Sequence, residues 1–384
     1  MTVNEYWRKR SLMLREDEYN MTVEFLNALD ELYQAAIRDT EKELAVFYAR
    51  LASNNDISIT AARRYLTTAE LPGFRMTLRE YQSMASQMGL SEEYQRMLEN
   101  ASLKTRISRL EAIKLHMQQA ATVLKKVELD ALDYFLQKTY LHSYGNGAFT
   151  ILSGVGVTFD EIGVDIDTVA KLVRKPWAAD GSNFSQRIWG EHRPQLVNSL
   201  STTLGKMLAK GEAPDKAIEL VTKKFNSSRK AAVCLVQTEV SYFAEQAKLD
   251  VYKELDVEEY EFASSLTEST CDECGDLDGK HWKITEKEPG VNFPPIHPNC
   301  TICTTIPYVD PAELEHDTRV AKDANGKTVY IPANMKYAEW KELYLKGGKT
   351  GDTLPLPRVN KGFSKDIVDF WDKVEKIGGD NDNK

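Results

Sequence analysis

The sequence predicts a mainly α-helical chain with long N-terminal helices and a small α+β, zinc-knuckle-like C-terminal domain. Three observations predict it. Near the N-terminus, apolar residues recur at helical spacing through long stretches free of Pro and Gly. Glycine and proline then punctuate shorter helical segments. Finally, four of the five cysteines fall within 271–303, as Cys271/Cys274 and Cys300/Cys303.

The first helix is expected over 4–52, capped by Asn4, with a stripe of Leu12, Tyr19, Val23, Leu26, Leu29, Tyr33 and Ile37. At 1.5 Å per residue it would run about 70 Å, too long for one small core. It therefore serves either as an arm of an elongated bundle or as a surface for another protein. Ser53–Asp56 reads as a turn, Ile59–Thr67 as a short helix, and Leu71-Pro72-Gly73 as a break. Thr77 and Glu80 have capping-box spacing ahead of a helix over 78–88, and another helix begins at Ser91. A second long helix is expected over 103–142, its stripe including Met117, Leu124, Leu132 and Phe135. Residues 1–142 thus form a long-helix region.

Gly145, Gly147, Gly154 and Gly156 mark 143–163 as a glycine-rich linker; the pattern lacks the Lys-Ser/Thr of a phosphate-binding loop. The helical part of the next domain covers 164–257, broken at Pro176, Gly181, Gly190, Pro194, Gly205 and Pro214. Trp177, Phe184 and Trp189 read as core, Cys234 as a buried small hydrophobe, and Gln237-Thr238-Glu239 as an exposed polar face of the helix over 229–254. Residues 258–310 read as a small β-rich unit with Tyr260 and Phe262 as its core and Asp278-Gly279 as a turn between two strands. The extension 311–384 should hold a hairpin at Ala324-Asn325-Gly326, a short helix over 337–345, a linker over 346–359, a last amphipathic helix over 363–377 and a disordered tail.

Composition narrows the function classes. At 384 residues, 42% hydrophobic and 28% charged, the chain is ordinary globular material, long enough for two or three domains. A net charge of −9 argues against a broad basic nucleic-acid surface. No apolar run approaches the ~18 residues of a membrane helix. The opening Met1–Arg10 has no apolar core of the secretory kind, so export is not expected.

The cysteine region carries the chemistry. Each Cys-x-x-Cys turn can aim two thiolates at one point, and two such turns supply the four soft ligands tetrahedral zinc prefers. His297, three residues before Cys300, is a fifth candidate, and Pro294, Pro295 and Pro298 restrict the backbone around it. The metal candidates are therefore Cys271, Cys274, His297, Cys300 and Cys303, with a surplus that suits a closed structural site better than a catalytic one. Two disulfides, a redox pair and an unmetallated loop are the competing readings.

The chain resembles the minor head proteins of tailed bacteriophages, the head-morphogenesis family that includes the F protein of phage Mu. Tyr6–Arg10 and Met76–Tyr81 resemble the helical half of members from Gram-positive phages. Asn183–Trp189 resembles a family signature, and Gln237-Thr238-Glu239 stands where the family has Arg-Thr-Glu. The strongest likeness is Thr270–Cys274, Asp278–Lys280 and Pro294–Cys300. Two departures stand out: Gln237 replaces the Arg, and Cys300 is followed by Thr-Ile-Cys303. The resemblance favours Cys271, Cys274, His297 and Cys300 as ligands, whereas knuckle symmetry favours Cys303 over His297.

What the resemblance implies is a structural, non-enzymatic role. The expected zinc is structural. The expected partners are the portal protein, the major capsid or scaffolding protein and, within the head, phage DNA. The expected location is the capsid interior near the portal, reached from the host cytoplasm during assembly. Two other classes remain open: a metal-dependent enzyme (a nuclease or toxin-like domain) using His281, His297 and Glu239, and a zinc-knuckle nucleic-acid binder.

Overall fold

A computed structural model describes residues 3–53, 109–155, 164–200, 214–265, 270–308, 320–322, 328–330 and 365–377, with Thr202 and Thr267. The short helices expected over 59–67, 78–88, from Ser91 and over 337–345, the break at Gly205, the linker over 346–359 and the tail lie outside these residues.

Three long helices build the body: α1 (Val3–Ser53), α2 (Arg109–Val155) and α6 (Pro214–Glu254), each packed on the other two. Asn4 lies inside α1 rather than capping it. The expected stripe of α1 holds in its second half, where Leu29, Tyr33 and Ile37 are buried, but is displaced from the buried seam in the first half. Trp7, Leu14, Met21, Ala28 and Ala35 recur every seven residues, joined by Ser11, Glu18, Phe25 and Leu32 four residues after the first four of them, and all are buried. Tyr19, placed on the expected stripe, is 42% exposed. Two polar residues, Ser11 and Glu18, occupy the true seam, which is why hydrophobicity alone selects the neighbouring face.

The predicted linker over 143–163 is corrected over 143–155, where α2 continues as helix through Gly145, Gly147 and Gly154 to Val155; residues 156–163 lie outside the described residues. Two of these glycines are sites of close approach. A Cβ on Gly154 would fall on the indole of Trp7, whose N–H donates to the Ile151 carbonyl at 3.2 Å. A Cβ on Gly147 would touch the Lys248 side chain. The glycines thus serve helix–helix packing, which outweighs their poor helix propensity.

Short helix α3 (Ile166–Val173) is capped by Asp165, whose carboxylate accepts from the Thr168 amide. The chain then breaks at Pro176 and at Gly181, whose φ is 71°. Helix resumes as α4 (Phe184–Gln186), opened by an Asn183/Gln186 capping box, and runs through a π-helical stretch (Arg187–His192) into α5 (Arg193–Ser199). Gly190 and Pro194 therefore do not interrupt it. Pro194 sits at the start of α5, where its missing N–H costs little. Phe184 is core; Trp177 and Trp189 are half-buried, the latter beneath the Arg193 guanidinium at 4.7 Å.

After α6 come β1 (Glu259–Ser264), α7 (Asp272–Leu277), β2 (His281–Lys283) and β3 (Cys303–Tyr308), with the sheet ordered β2-β1-β3 and antiparallel throughout. The Asp278-Gly279 turn joins α7 to β2, not strand to strand. Pro307 is tolerated because β3 is an outer strand, and the helices α1 and α6 cover it. Tyr260 and Phe262 are fully buried as expected. Short strands β4 (Val320–Lys322) and β5 (Thr328–Tyr330) pair as an antiparallel hairpin at the expected place. Helix α8 (Lys365–Lys376) buries Ile367, Phe370, Trp371 and Val374 against α1 and α2. Phe370 meets Phe25 edge-on and Trp371 meets Tyr134 likewise, both with ring centroids 6.4 Å apart. One apolar core runs from Tyr6 through the bundle to Ile377.

Candidate metal centre

A buried polar network joins the bundle to the cysteine unit. Lys248 of α6 donates to Glu18 at 3.1 Å, Glu245 at 2.8 Å and the Thr304 hydroxyl at 3.0 Å. Glu245 also accepts from the Thr305 amide at 2.7 Å. Arg15 donates to Glu18 at 3.2 Å, to Ser241 at 3.1 Å and to the Thr301 carbonyl at 3.0 Å, one residue beyond Cys300. Burial opposes the Glu18 charge, but Lys248 and Arg15 overcome it and hold its carboxyl below the usual range. Nearer the end of α1, Arg8 pairs with Glu261 and reaches Asp278 at 2.7 Å; Asp278 in turn accepts from the Ser264 amide.

The first Cys-x-x-Cys pair is set by a helix start. Cys271 is the N-cap of α7, and its sulfur accepts from the Cys274 amide at 3.4 Å. That bond from the Cys274 N–H lowers the Cys271 thiol below its ordinary value. The second group comes from the turn His297–Cys300. There the Cys300 amide donates to the His297 carbonyl at 3.2 Å, and Asn299 is left-handed, with φ 63°. Asn292 supports the approach to this turn. It accepts from Tyr260 at 3.1 Å and from the Glu288 amide at 2.7 Å. Cys303 opens β3 opposite Ser264.

The five predicted donors converge. Cys271, Cys274 and His297 lie within 4.8 Å of one another, as do Cys274, Cys300 and Cys303, so two triads share Cys274. Cys274 and Cys300 sulfurs are 3.8 Å apart, and His297 Nε2 is 3.5 Å from Cys274 and 3.2 Å from Cys271. Around one tetrahedral zinc, two thiolates stand about 3.8 Å apart and a thiolate and imidazole about 3.5 Å. The His297 Nδ1 lies 2.9 Å from the Pro298 carbonyl and donates to it, which raises the imidazole above its usual value and turns Nε2 toward the sulfurs. Cys300 is pushed down to about 5, chiefly by the hydrogen bond from Cys303, while that bond and burial drive Cys303 strongly upward. The cluster can hold a metal ion. All five cysteines are free of disulfides.

His281 and Glu239 belong to neither triad. His281 is exposed on β2 and stacks on Tyr308 with centroids 4.3 Å apart. Glu239, expected on an exposed face, is 2% exposed instead. It accepts from the Trp177 indole at 2.7 Å, and burial raises its carboxyl to about 7. Trp177 stacks flat on Tyr242, centroids 4.2 Å apart, which shields this face of α6. Cys234 is only half-buried. Beside it, the Thr238 hydroxyl donates to the Cys234 carbonyl at 2.7 Å and accepts from the Asn299 amide at 3.1 Å. Thr238 and Glu239 of the triplet thus brace neighbouring loops. Their one sequence signal is their position within an apolar stripe of the helix.

Among the described residues, no helix is long and apolar enough to cross a membrane. Residues 198–306 match the family model described as phage Mu protein F like protein, well under half of the chain. No curated protein and no solved structure matches.

Proposed function

We propose, from the match of residues 198–306 to the phage Mu protein F like family model, that this chain is a head-morphogenesis protein, a minor structural component of the phage head built into the procapsid beside the portal. The family match is the observation that carries the reading. The fold supports it: helices of 51, 47 and 41 residues offer long lateral surfaces suited to holding larger assemblies in register. The proposed partners are the portal protein, the major capsid or scaffolding protein and the DNA inside the head. The protein works in the capsid interior after assembly in the host cytoplasm.

In this reading the cysteine unit is a structural zinc knuckle. Cys271, Cys274, His297 and Cys300 would hold the ion, and Cys303, buried within 4.8 Å of Cys274 and Cys300, would stay a thiol beside them. When bound, zinc cross-links α7 to the 297–300 turn. The unit's own apolar cluster is small, Phe262 with Cys274, Cys300 and Cys303 at its centre, so metal ligation supplies much of its cohesion. The donor set is closed and sulfur-rich, and the carboxylate and histidine an enzymatic centre would need, Glu239 and His281, point to other duties.

Two measurements test this. Coexpression with the portal, capsid and scaffolding proteins of the same phage should give procapsids containing this chain in few copies. Omitting the portal should remove it; particles that exclude it, or take it up equally without portal, would overturn the placement. Metal analysis of the purified protein should give about one zinc per chain, lost in Cys271→Ser together with cooperative folding of 258–308. A Cys271→Ser protein that stays fully folded while zinc is lost would refute the structural role.

A further inference from the structure

We propose that Thr238 is a positioning residue for the metal-binding turn, holding His297 and Cys300 in ligating geometry from the side of α6. This rests on the zinc reading above. The turn His297-Pro298-Asn299-Cys300 carries two of the four ligands, and its backbone donors are few. Pro298 has no N–H, and the Cys300 N–H is spent within the turn on the His297 carbonyl. The amide at the middle of the turn, that of Asn299, donates to Thr238 Oγ1 at 3.1 Å, across 61 residues of sequence.

Thr238 suits this task for a chemical reason. Its hydroxyl proton is committed to the Cys234 carbonyl at 2.7 Å, one helical turn back. That bond fixes the side chain and leaves its oxygen as a pure acceptor aimed outward. Asn299 holds a left-handed φ of 63°, which aspartate and asparagine tolerate better than most residues. The rigid helix therefore fixes the middle of the turn, and the turn presents His297 Nε2 and Cys300 Sγ toward Cys274 at 3.5 and 3.8 Å. Partners of this kind, one layer outside the ligands, commonly set metal affinity. The adjacent Glu239 braces the opposite neighbour, Trp177, so successive residues of one helix tie two loops to it.

The test compares wild type with Thr238→Val, which keeps the shape and removes the oxygen, and with Thr238→Ser, which restores it. Zinc affinity is read by competition with a chromophoric chelator, and the site by the visible spectrum of the cobalt-substituted protein. The expected result is about tenfold weaker zinc binding and an altered cobalt spectrum in Thr238→Val, both recovered in Thr238→Ser. Thr238→Ala serves as a second variant should the valine not fold. A merely structural role would lower thermal stability while leaving affinity and spectrum unchanged, and that outcome overturns the proposal. Wild-type affinity in both Thr238→Val and Thr238→Ala, or failure of serine to rescue, does the same. Wild-type protein that takes up no zinc would overturn the knuckle reading itself, whatever the variants do.

Discussion

Replacing Gly154 by alanine should destabilise the protein, although alanine is the better helix former. On propensity alone the change favours the helix by about 1 kcal/mol. The new methyl, however, would stand 2.9 Å from Cδ1 and Cε2 of Trp7 and closer still to its nitrogen. Trp7 is 1% exposed, so it has no open space to move into. Displacing a buried ring by the required ångström costs roughly 1–3 kcal/mol as overpacking. Breaking its hydrogen bond to Ile151 adds about 1 kcal/mol, which offsets the propensity gain. The net loss is therefore about 1–3 kcal/mol. Gly145→Ala is the internal control: it lies in the same helix with nothing within 4 Å of the new methyl. It should stabilise by about 0.5–1 kcal/mol. Urea unfolding of the full chain, followed by circular dichroism and tryptophan fluorescence, measures both. A Gly154→Ala protein as stable as wild type would refute the packing argument. Equal, negligible effects at the two positions would mean that 143–155 behaves as a linker after all.

Glu239→Gln should alter the pH dependence of stability. The Glu239 carboxyl is raised to about 7 in the fold against 4.5 unfolded, so ionisation penalises the folded state as pH rises from about 4.5 to 7, by on the order of 3 kcal/mol at most. The glutamine variant should match wild type at pH 4.5 and exceed it at pH 8; no gain at pH 8 would contradict the buried carboxyl. Lys248→Met leaves buried Glu245 without a cation and Glu18 with Arg15 alone, and should cost about 3–5 kcal/mol in urea unfolding, partly recovered by adding Glu245→Gln. Glu18 behaves oppositely to Glu239. Its lowered carboxyl contributes stability that is present above about pH 4.5 and lost as pH falls through its folded value, so Glu18→Gln should flatten the acid limb of a pH–stability curve.

Much of this was legible in the sequence, for identifiable reasons. The first two long helices, the hairpin pair and α8 announce themselves through period and turn chemistry over many residues, whereas the third long helix, expected only over 229–254, starts at Pro214. The five metal candidates are legible because cysteine spacing is discrete, and the fold brings all five together. What was not legible depends on tertiary partners. Nothing local says that Gly154 faces Trp7, 147 residues earlier, so four nearby glycines read as a linker. Nothing local says that Glu239 will find the Trp177 indole and be buried. Ser11 and Glu18 hid the true seam of α1 because a polar residue on a buried face reads as an exposed one.

That seam bears on how the cysteine unit is placed. Buried positions 7, 14, 21, 28 and 35 of α1 repeat every seven residues, so the apolar spacing alone would fit a slide of α1 by one repeat, and the Trp7–Gly154 contact and the polar network are what select the register. Such a slide would carry Arg15 and Glu18 about 10 Å from their partners. Glu18 would lose Lys248 and Ser143, and Arg15 would lose Ser241 and the Thr301 carbonyl. The network holds two cations, Arg15 and Lys248, and two anions, Glu18 and Glu245, so it is neutral only when all four meet. Buried ion pairs add little net stability over apolar packing, but separating them is costly, and that asymmetry selects one register. Arg8 and Arg15, seven residues apart on α1, then grip the cysteine unit at Asp278 and Thr301. The family match begins at residue 198 and takes in the α6 groups that hold the knuckle, yet part of the polar grip, from Arg8 and Arg15, comes from the first 15 residues. Removing α1 should therefore weaken the hold on the knuckle, leaving it the α6 bonds at Asn299, Thr304 and Thr305, even where every metal ligand is kept.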